Sequence, residues 1–147
     1  MDLKSNLQSD LKDAMRSGEE IRKSTIRMAL SAIKLAEVEK GALLDEAEYL
    51  AIIQKEIKSR REAIADAERA NRPELITQAE QEIAILQGYL PAPLSQEELD
   101  NMAKAAVSEV GATSIREMGQ VMKILIPKLQ GRASGDQASQ AVRKLLQ

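Results

Sequence analysis

The chain has 147 residues, carries 21 basic and 23 acidic side chains, and contains neither cysteine nor histidine. These absences exclude thiolate nucleophiles, disulfides, cysteine-bound metals and a Ser-His-Asp triad within the chain, and a metal would need oxygen ligands, as Mg²⁺ and Ca²⁺ do. Tyr49 and Tyr89 are the only aromatic residues. The core must therefore be aliphatic, and base stacking on aromatic platforms is excluded as a way to hold single strands.

Helical periodicity of the apolar residues runs through the first part of the chain and predicts four helices there. Gly18 and Gly41 are natural helix stops. Asp45 with Glu48 forms a capping-box pattern, and Pro73 suits the first position of a helix. The third and fourth helices should form a long antiparallel hairpin on which the first two pack. The expected helices cover about residues 2–17, 20–40, 45–70 and 73–90.

Two prolines in residues 91–94 interrupt the helical pattern, and we predict a linker between two domains at this point. Residues 1–90 before it form the predicted N-terminal helical domain with its long hairpin. Residues 95–147 after it form a small C-terminal helical bundle. The fold class is therefore all-α and two-part multihelical, with a four-helix bundle followed by a three-helix bundle.

The helix starts in the C-terminal part are predicted from capping pairs. Ser95 with Glu98 should cap the fifth helix, and Ser114 with Glu117 should cap the sixth. Pro127 should kink or end the sixth helix. The seventh helix should cover about residues 136–146.

Basic side chains are concentrated near the end of the sequence. Residues 110–147 have a net charge of +4, whereas residues 1–94 and residues 95–109 each have a net charge of −3. These side chains could meet the phosphates of a structured RNA through shape and charge, or they could be solvated charges on small helices. The candidate nucleic-acid-binding residues in this segment are Arg116, Lys123, Lys128, Arg132, Arg143 and Lys144.

Two motifs in the C-terminal part have both a binding interpretation and a structural one. The Gly-Arg-Ala-Ser-Gly run at residues 131–135 could cradle a phosphate with backbone amides at a helix start, but an ordinary turn with a helix cap is favoured. Met118, Gly119 and Met122 could line a groove for a partner helix, but core packing at helical spacing is favoured.

Three cations in the middle of the third helix, Lys58, Arg60 and Arg61, form a secondary candidate surface for nucleic acid. The two arginines could instead pair across the hairpin with Glu80 or Glu82, and internal ion pairing is the interpretation that we favour. We find no catalytic constellation, and we expect neither a metal nor a cofactor. Neighbouring Ser and Lys residues on a helix point about 100° apart and do not face each other.

A series of short motifs occurs in order along the chain: Thr25-Ile26-Arg27-Met28, Lys58-Ser59-Arg60-Arg61-Glu62-Ala63-Ile64, Glu80-Gln81-Glu82-Ile83-Ala84-Ile85-Leu86, Tyr89-Leu90-Pro91 with Leu94-Ser95, Gly111-Ala112-Thr113, Met118-Gly119-Gln120-Val121-Met122, Pro127-Lys128 and Gly131-Arg132-Ala133. In this order and over nearly the whole chain, the sequence resembles the GatB/YqeY family. It is most similar to the free-standing YqeY-like members, which share its length and order of motifs.

The resemblance implies an all-helical, two-part fold and kinship with the tail domain of the B subunit of the tRNA-dependent amidotransferase. That enzyme converts Glu-tRNA or Asp-tRNA to the amide form with glutamine as nitrogen donor. Its tail helps to grip tRNA, while its catalysis and its magnesium site lie in a separate region. Because this chain resembles only the tail, the resemblance implies no catalysis by the chain alone.

The leading hypothesis is an accessory protein that binds tRNA or another structured RNA, with a translation-related protein as a further candidate partner. One alternative is a protein–protein adaptor that uses an apolar groove between the two parts. Another is an accessory to a carbon–nitrogen ligase that takes its amide nitrogen from glutamine. No apolar run approaches the about 20 residues that span a bilayer, and residues 1–4 lack the pattern of a signal peptide. We therefore expect a cytoplasmic protein with no membrane contact.

Overall fold

The computed structural model describes residues 2–147, and every regular element in this range is a helix. The predicted all-α class is confirmed. The chain forms two compact units, the first ending at Leu90 and the second spanning Pro91–Gln147. Met1, the first residue of the predicted N-terminal domain, lies outside the described residues. That the two units are independently folding domains joined by a linker remains a prediction.

The first unit contains four helices whose ends follow local sequence signals. Asp2 caps α1 by accepting a hydrogen bond from the Ser5 amide at 2.8 Å. Asp45 and Glu48 form the predicted capping box at the start of α3. Gly18 follows α1 with a φ of 75°, a left-handed conformation that favours glycine. The helices are α1 (Leu3–Ser17), α2 (Glu20–Lys40), α3 (Glu46–Arg69) and α4 (Pro73–Gln87).

Aliphatic side chains fill the interior of the first unit, as the shortage of aromatic residues requires. The hairpin of α3 and α4 provides one wall, and α1 and α2 pack against it. Tyr49 is the one aromatic residue that is fully enclosed in this interior. The largest buried side chains here are Leu7, Ile26, Ile33, Ile53 and Leu86.

Arg60 is a charged residue buried inside the first unit, with 6% of its surface exposed. Its Nε donates to Glu82 Oε2 at 3.0 Å, which joins α3 to α4. Its Nη1 donates to the main-chain oxygen of Glu56 at 3.0 Å, and its Nη2 lies 3.5 Å from the sulfur of Met28 on α2. The ion pair predicted across the hairpin is confirmed for Arg60, and its partner on α4 is Glu82.

Tyr89 fastens the end of α4 to the first two helices. Its hydroxyl donates to the carboxylate of Asp10 on α1. Asp10 Oδ1 lies 3.7 Å from Arg22 Nη2 on α2. Burial, followed by the hydrogen bond to Asp10, raises the pKa of the Tyr89 phenol well above its ordinary value of 10.0. The tyrosine therefore stays neutral and remains a donor across the ordinary pH range.

The second unit contains α5 (Gln96–Val110), a 3-10 turn (Ile115–Glu117), α6 (Met118–Leu129) and α7 (Gly135–Leu146). The three α-helices pack against one another around a second aliphatic core. Ser95 and Glu98 form the predicted capping box of α5. The side chains fully enclosed in this core include Ala103, Val121, Leu125, Ala138 and Val142.

The predicted cap of α6 is corrected, and of the two outcomes predicted for Pro127, a kink or an end, the structure excludes the end. Ser114 makes no capping hydrogen bond. The carboxylate of Glu117 instead accepts from the amide and the hydroxyl of Thr113, both at 3.3 Å, and one 3-10 turn precedes α6. Pro127 does not end the helix, which continues to Leu129. Proline lacks the N–H that would bond to the main-chain oxygen of Lys123, and Lys123 is an exposed residue.

We predict that Arg60→Ala lowers the free energy of unfolding by about 3 kcal/mol, because it leaves the enclosed carboxylate of Glu82 without its cation. Arg61→Ala is the matched control. It removes an exposed arginine from the next position of the same helix and should change stability by less than about 0.5 kcal/mol. Urea titration of both variants measures the difference. Equal midpoints for the two variants would contradict the structural role of Arg60.

Tyr89→Phe should cost about 1.5 kcal/mol at neutral pH, since Asp10 loses a hydrogen-bond donor. The wild-type phenol has a higher pKa in the folded state than in the unfolded state. Its contribution is therefore complete below the unfolded pKa near 10 and is lost as the pH rises above it. Stability of the wild type should fall more steeply above pH 10 than stability of Tyr89→Phe, measured by urea titration at each pH. Parallel pH profiles would refute this coupling.

Candidate nucleic-acid interface

Folding neutralises part of the basic segment at residues 110–147 with carboxylates from α5. Lys128 Nζ on α6 lies 2.9 Å from Glu109 Oε2, close to the end of α5. Arg132 Nη2 lies 3.9 Å from Glu98 Oε2, close to its beginning. Two of the six candidate residues therefore already face an anion inside their own unit, and the net charge of +4 overstates what is available to a ligand.

Arg132 also has a structural role that the sequence analysis missed. Its Nε donates to the main-chain oxygen of Ala92 at 2.8 Å, and its own main-chain oxygen accepts from the Leu94 amide at 2.9 Å. These two bonds hold residues 91–94, predicted as a linker, against the second unit. The hydrogen bond from Arg132 to Ala92 joins residues 40 positions apart, so no local sequence pattern predicts it.

The other four candidates are exposed, and within residues 2–147 no ion pair joins any of them to a carboxylate. Arg116 lies in the 3-10 turn and Lys123 on the outer face of α6. Arg143 and Lys144 lie in the last turn of α7, where a cation interacts favourably with the negative end of the helix dipole. The four side chains thus come from three elements of one small unit. We name them the unpaired basic set.

The turn at residues 131–135 is a helix cap, as favoured from the sequence. Gln130 and Gly131 are both left-handed, with φ of 49° and 76°, and they reverse the chain after α6. The Ser134 hydroxyl accepts from the Gln137 amide at 3.1 Å, and the Gln137 side chain accepts from the Ser134 amide at 2.9 Å. Because Ser134 and Gln137 cap the start of α7, this end of the helix is not an open phosphate cradle.

The methionines of α6 are packing residues, again as favoured. Met118 and Met122 are partly buried and pack against the second core. Gly119 is exposed, and a side chain at its position would meet no atom within 4 Å. The partner-helix groove suggested for these three residues is therefore not supported on this face.

The secondary candidates on α3 separate into two kinds. Arg60 is buried and bonded to Glu82, so its guanidinium is not available to a phosphate and it is removed from the candidate surface. Lys58 and Arg61 are exposed on the same helix. They keep their place as a possible second contact for a large ligand.

A polar pocket of about 300 Å³ lies beside Tyr89 in the first unit and is lined by Asn6, Ser9, Asp10 and Glu46. The Asp10 carboxylate in this pocket already accepts from the tyrosine hydroxyl. Among residues 2–147, no group of three or more acidic side chains could hold a metal ion. In the same range, no helix is long and apolar enough to cross a bilayer.

A family model described as Yqey-like protein matches residues 4–146. The chain belongs to the YqeY-like protein family. This match extends over almost the whole sequence and covers both units, which confirms the resemblance drawn from the ordered motifs.

Several fungal relatives carry the name altered inheritance of mitochondria protein 41, mitochondrial. The chain is 33% identical to the protein of Pyrenophora tritici-repentis over 131 residues, which is 86% of this chain and 71% of that protein. It is 35% identical to the protein of Vanderwaltozyma polyspora over 107 residues, 71% of this chain and 58% of the relative. For Saccharomyces cerevisiae the identity is 30% over 122 residues, 81% of this chain and 66% of the relative.

The cytoplasmic location expected from the sequence is wrong on this comparison, since the names of these relatives place them in mitochondria. The matched segment of the Vanderwaltozyma protein spans little more than half of its length. Part of that protein therefore lies outside the similarity. The lack of a signal-peptide pattern in residues 1–4 therefore does not indicate where the protein acts.

Replacing Arg132 with Gln should loosen residues 91–94, because the hydrogen bond to Ala92 is lost. Exchange of the Leu94 amide, which bonds to the main chain of residue 132, should accelerate about fivefold if the bond contributes about 1 kcal/mol. Lys128→Gln is the control of equal charge. It breaks only an exposed ion pair, which contributes little, and should leave Leu94 exchange unchanged. Identical protection in both variants, measured by hydrogen-exchange NMR, would show that Arg132 does not hold this segment.

Proposed function

We propose that the protein is a non-catalytic accessory factor whose second unit binds the phosphates of tRNA or another structured RNA. It would act together with a translation-related protein. The observation that carries this proposal is the unpaired basic set: four exposed cations in one small unit that form no ion pair within residues 2–147. The protein as a whole has a net charge of −2, so these cations are a local exception to an acidic molecule.

The chemistry of the surface favours a duplex or a folded RNA over a single strand. Single strands are usually held by stacking on aromatic rings, and the second unit contains no aromatic residue. Cations alone can follow the phosphates of an A-form helix, which proteins recognise by shape and backbone contacts. Binding of this kind is electrostatic, weakens with salt and has little dependence on base sequence.

The first unit would contribute a second contact through the hairpin. Lys58 and Arg61 lie exposed on α3, a helix of 24 residues that is about 36 Å long at 1.5 Å per residue. We propose that tRNA or another folded RNA contacts these two cations as well. The resemblance to the tail of the tRNA-dependent amidotransferase supports the same class of ligand.

Binding of a transcribed tRNA should be measured across a salt series for the wild type and for a variant with all four members of the unpaired basic set changed to Gln. If all four contact phosphate, the slope of log K against log salt should decrease in magnitude by about 3, at 0.7 to 0.9 per contact. A smaller decrease in the slope would give the number of these four side chains that contact phosphate. Fluorescence anisotropy with labelled tRNA gives both affinity and slope.

The matched control removes four exposed cations from elsewhere: Lys12, Arg16, Lys55 and Lys104. It changes the net charge by the same amount and should keep the wild-type slope. If both quadruple variants lose the same slope, only the total charge matters and the proposed surface is wrong. If the wild type has no affinity for tRNA at low salt, the function itself is wrong.

A further inference from the structure

The exposed face of α2 carries apolar side chains where a solvent-facing helix surface is normally polar. The buried face of this helix consists of Thr25, Ile26, Ala29 and Ile33. On the opposite side the exposed fractions are 37% for Ile21, 52% for Met28, 61% for Leu35 and 71% for Val38. The first unit therefore leaves a row of apolar residues unpartnered along one of its longest helices.

This row has the spacing of a coiled-coil seam. Ile21, Met28 and Leu35 are seven residues apart, the repeat of heptad a positions. Ser24, Ser31 and Val38 fall three residues after each of them, in the d positions, and all three are exposed. The seam is about 26 Å long at 1.5 Å per residue. Serine at two d positions is small enough to let a second helix approach closely.

The start of the seam opens into a groove. Ile21 lines it together with Ala84 and Ile85 of α4, and the groove has a volume of about 540 Å³. The acidic residues that border it already have cation partners. Glu19 pairs with Arg22 at 3.2 Å, and Glu20 pairs with Lys23 at 3.0 Å.

Two cations flank the middle of the seam without an anion beside them. Arg27 and Lys34 are exposed, lie seven residues apart, and occupy the positions just before Met28 and Leu35. These are g positions, whose charges select the partner in a coiled coil. The hydrogen-bond contact of Arg27 is with the sulfur of Met15 on α1, at 4.0 Å, and no ion pair within residues 2–147 includes Arg27 or Lys34.

We propose that the α2 seam binds an amphipathic helix of a partner protein that presents apolar residues at heptad spacing and acidic residues on its flank. The acidic flank would neutralise both Arg27 and Lys34 at the rim, and the apolar residues would cover Met28 and Leu35.

A second copy of the chain fits the same surface less well. In a parallel pair of α2 helices, a g residue meets the e residue five positions further along the partner. Lys34 would then meet Glu39, but Arg27 would meet Ala32. One cation would remain unpaired, whereas an acidic helix satisfies both. The Met15 thioether, 4.0 Å from Arg27, can adapt to the surface of a foreign helix.

A synthetic 21-residue helix with Leu at a and d, Glu only at the two e positions that face Arg27 and Lys34, Ala at its other e and g positions, and one Trp is a direct probe. Because the protein contains no tryptophan, peptide fluorescence reports binding without protein background. The expected result is binding about tenfold tighter than that of the same peptide with Lys at those two positions, since two rim charges change from attraction to repulsion. No preference between the two peptides would refute the proposal.

Methyl NMR of labelled methionine locates the contact. The Met15 and Met28 signals should shift on adding the acidic peptide, while those of Met102, Met118 and Met122 in the second unit stay in place. Shifts confined to the second unit would overturn the assignment. Concentration-dependent shifts of Met28 without peptide would mean that a second copy occupies the seam. The same shifts on adding tRNA would mean that RNA does, and either outcome rejects the partner helix.

Variants complete the test on the intact chain. Arg27→Glu with Lys34→Glu should reverse the preference to the basic peptide, whereas Lys12→Glu with Lys55→Glu makes the same charge change elsewhere and should not. Leu35→Glu should weaken binding of the acidic peptide at least tenfold, and Leu75→Glu, at an exposed apolar position of α4, should have no effect. Retention of wild-type binding by the Arg27 and Lys34 variant would exclude the acidic flank.

Discussion

The buried guanidinium of Arg60 is the interaction on which the first unit depends. It joins α3 to α4 through Glu82, bonds to the carbonyl of Glu56 within α3, and lies against the Met28 sulfur of α2. A cation in an aliphatic interior is tolerated only when its donors are satisfied, and these contacts satisfy it. Through these contacts one side chain links α3 to both α4 and α2.

The basic side chains of the two units fall into two kinds. Some cations belong to the architecture: Arg60 inside the hairpin and Arg132 on the main chain of Ala92. Others form no ion pair within residues 2–147, and these include the unpaired basic set and the two cations that flank the α2 seam. We interpret the first kind as structural, and we propose that the unpaired basic set and the two seam cations are the ones that meet ligands.

Local signals in the sequence predicted most of the fold. The helix ends and the capping boxes depend on residues close together in the chain, as at Gly18, Gly41, Asp45 and Ser95. The aliphatic character of the interior follows from the composition. The prediction for the start of α6 was wrong because two neighbouring residues compete for the same carboxylate. Glu117 could be bonded by Ser114 or by Thr113, and the structure uses Thr113. Pro127 lies within α6, which continues to Leu129.

The site could be predicted only in part, because its availability depends on contacts between distant residues. The six basic residues were visible in the sequence, but the pairing of Lys128 with Glu109 and the bond from Arg132 to Ala92 require the folded arrangement. The same is true of Tyr89 and Asp10, which are 79 positions apart. The α2 seam could not be predicted from the sequence because its heptad spacing resembles the periodicity of a buried core stripe. Only the exposure of the side chains distinguishes a seam from a core stripe.

The separation of structural from available cations can be tested by observing the arginine Nε–Hε groups by NMR while tRNA is added. In the free protein, Arg60 and Arg132 should give protected signals, since each donates its Nε proton within the chain, whereas Arg116 and Arg143 should exchange rapidly. On adding tRNA, the signals of Arg116 and Arg143 should shift and slow, and those of Arg60 and Arg132 should not move. Shifts at Arg60 or Arg132, with none at Arg116 and Arg143, would contradict the account.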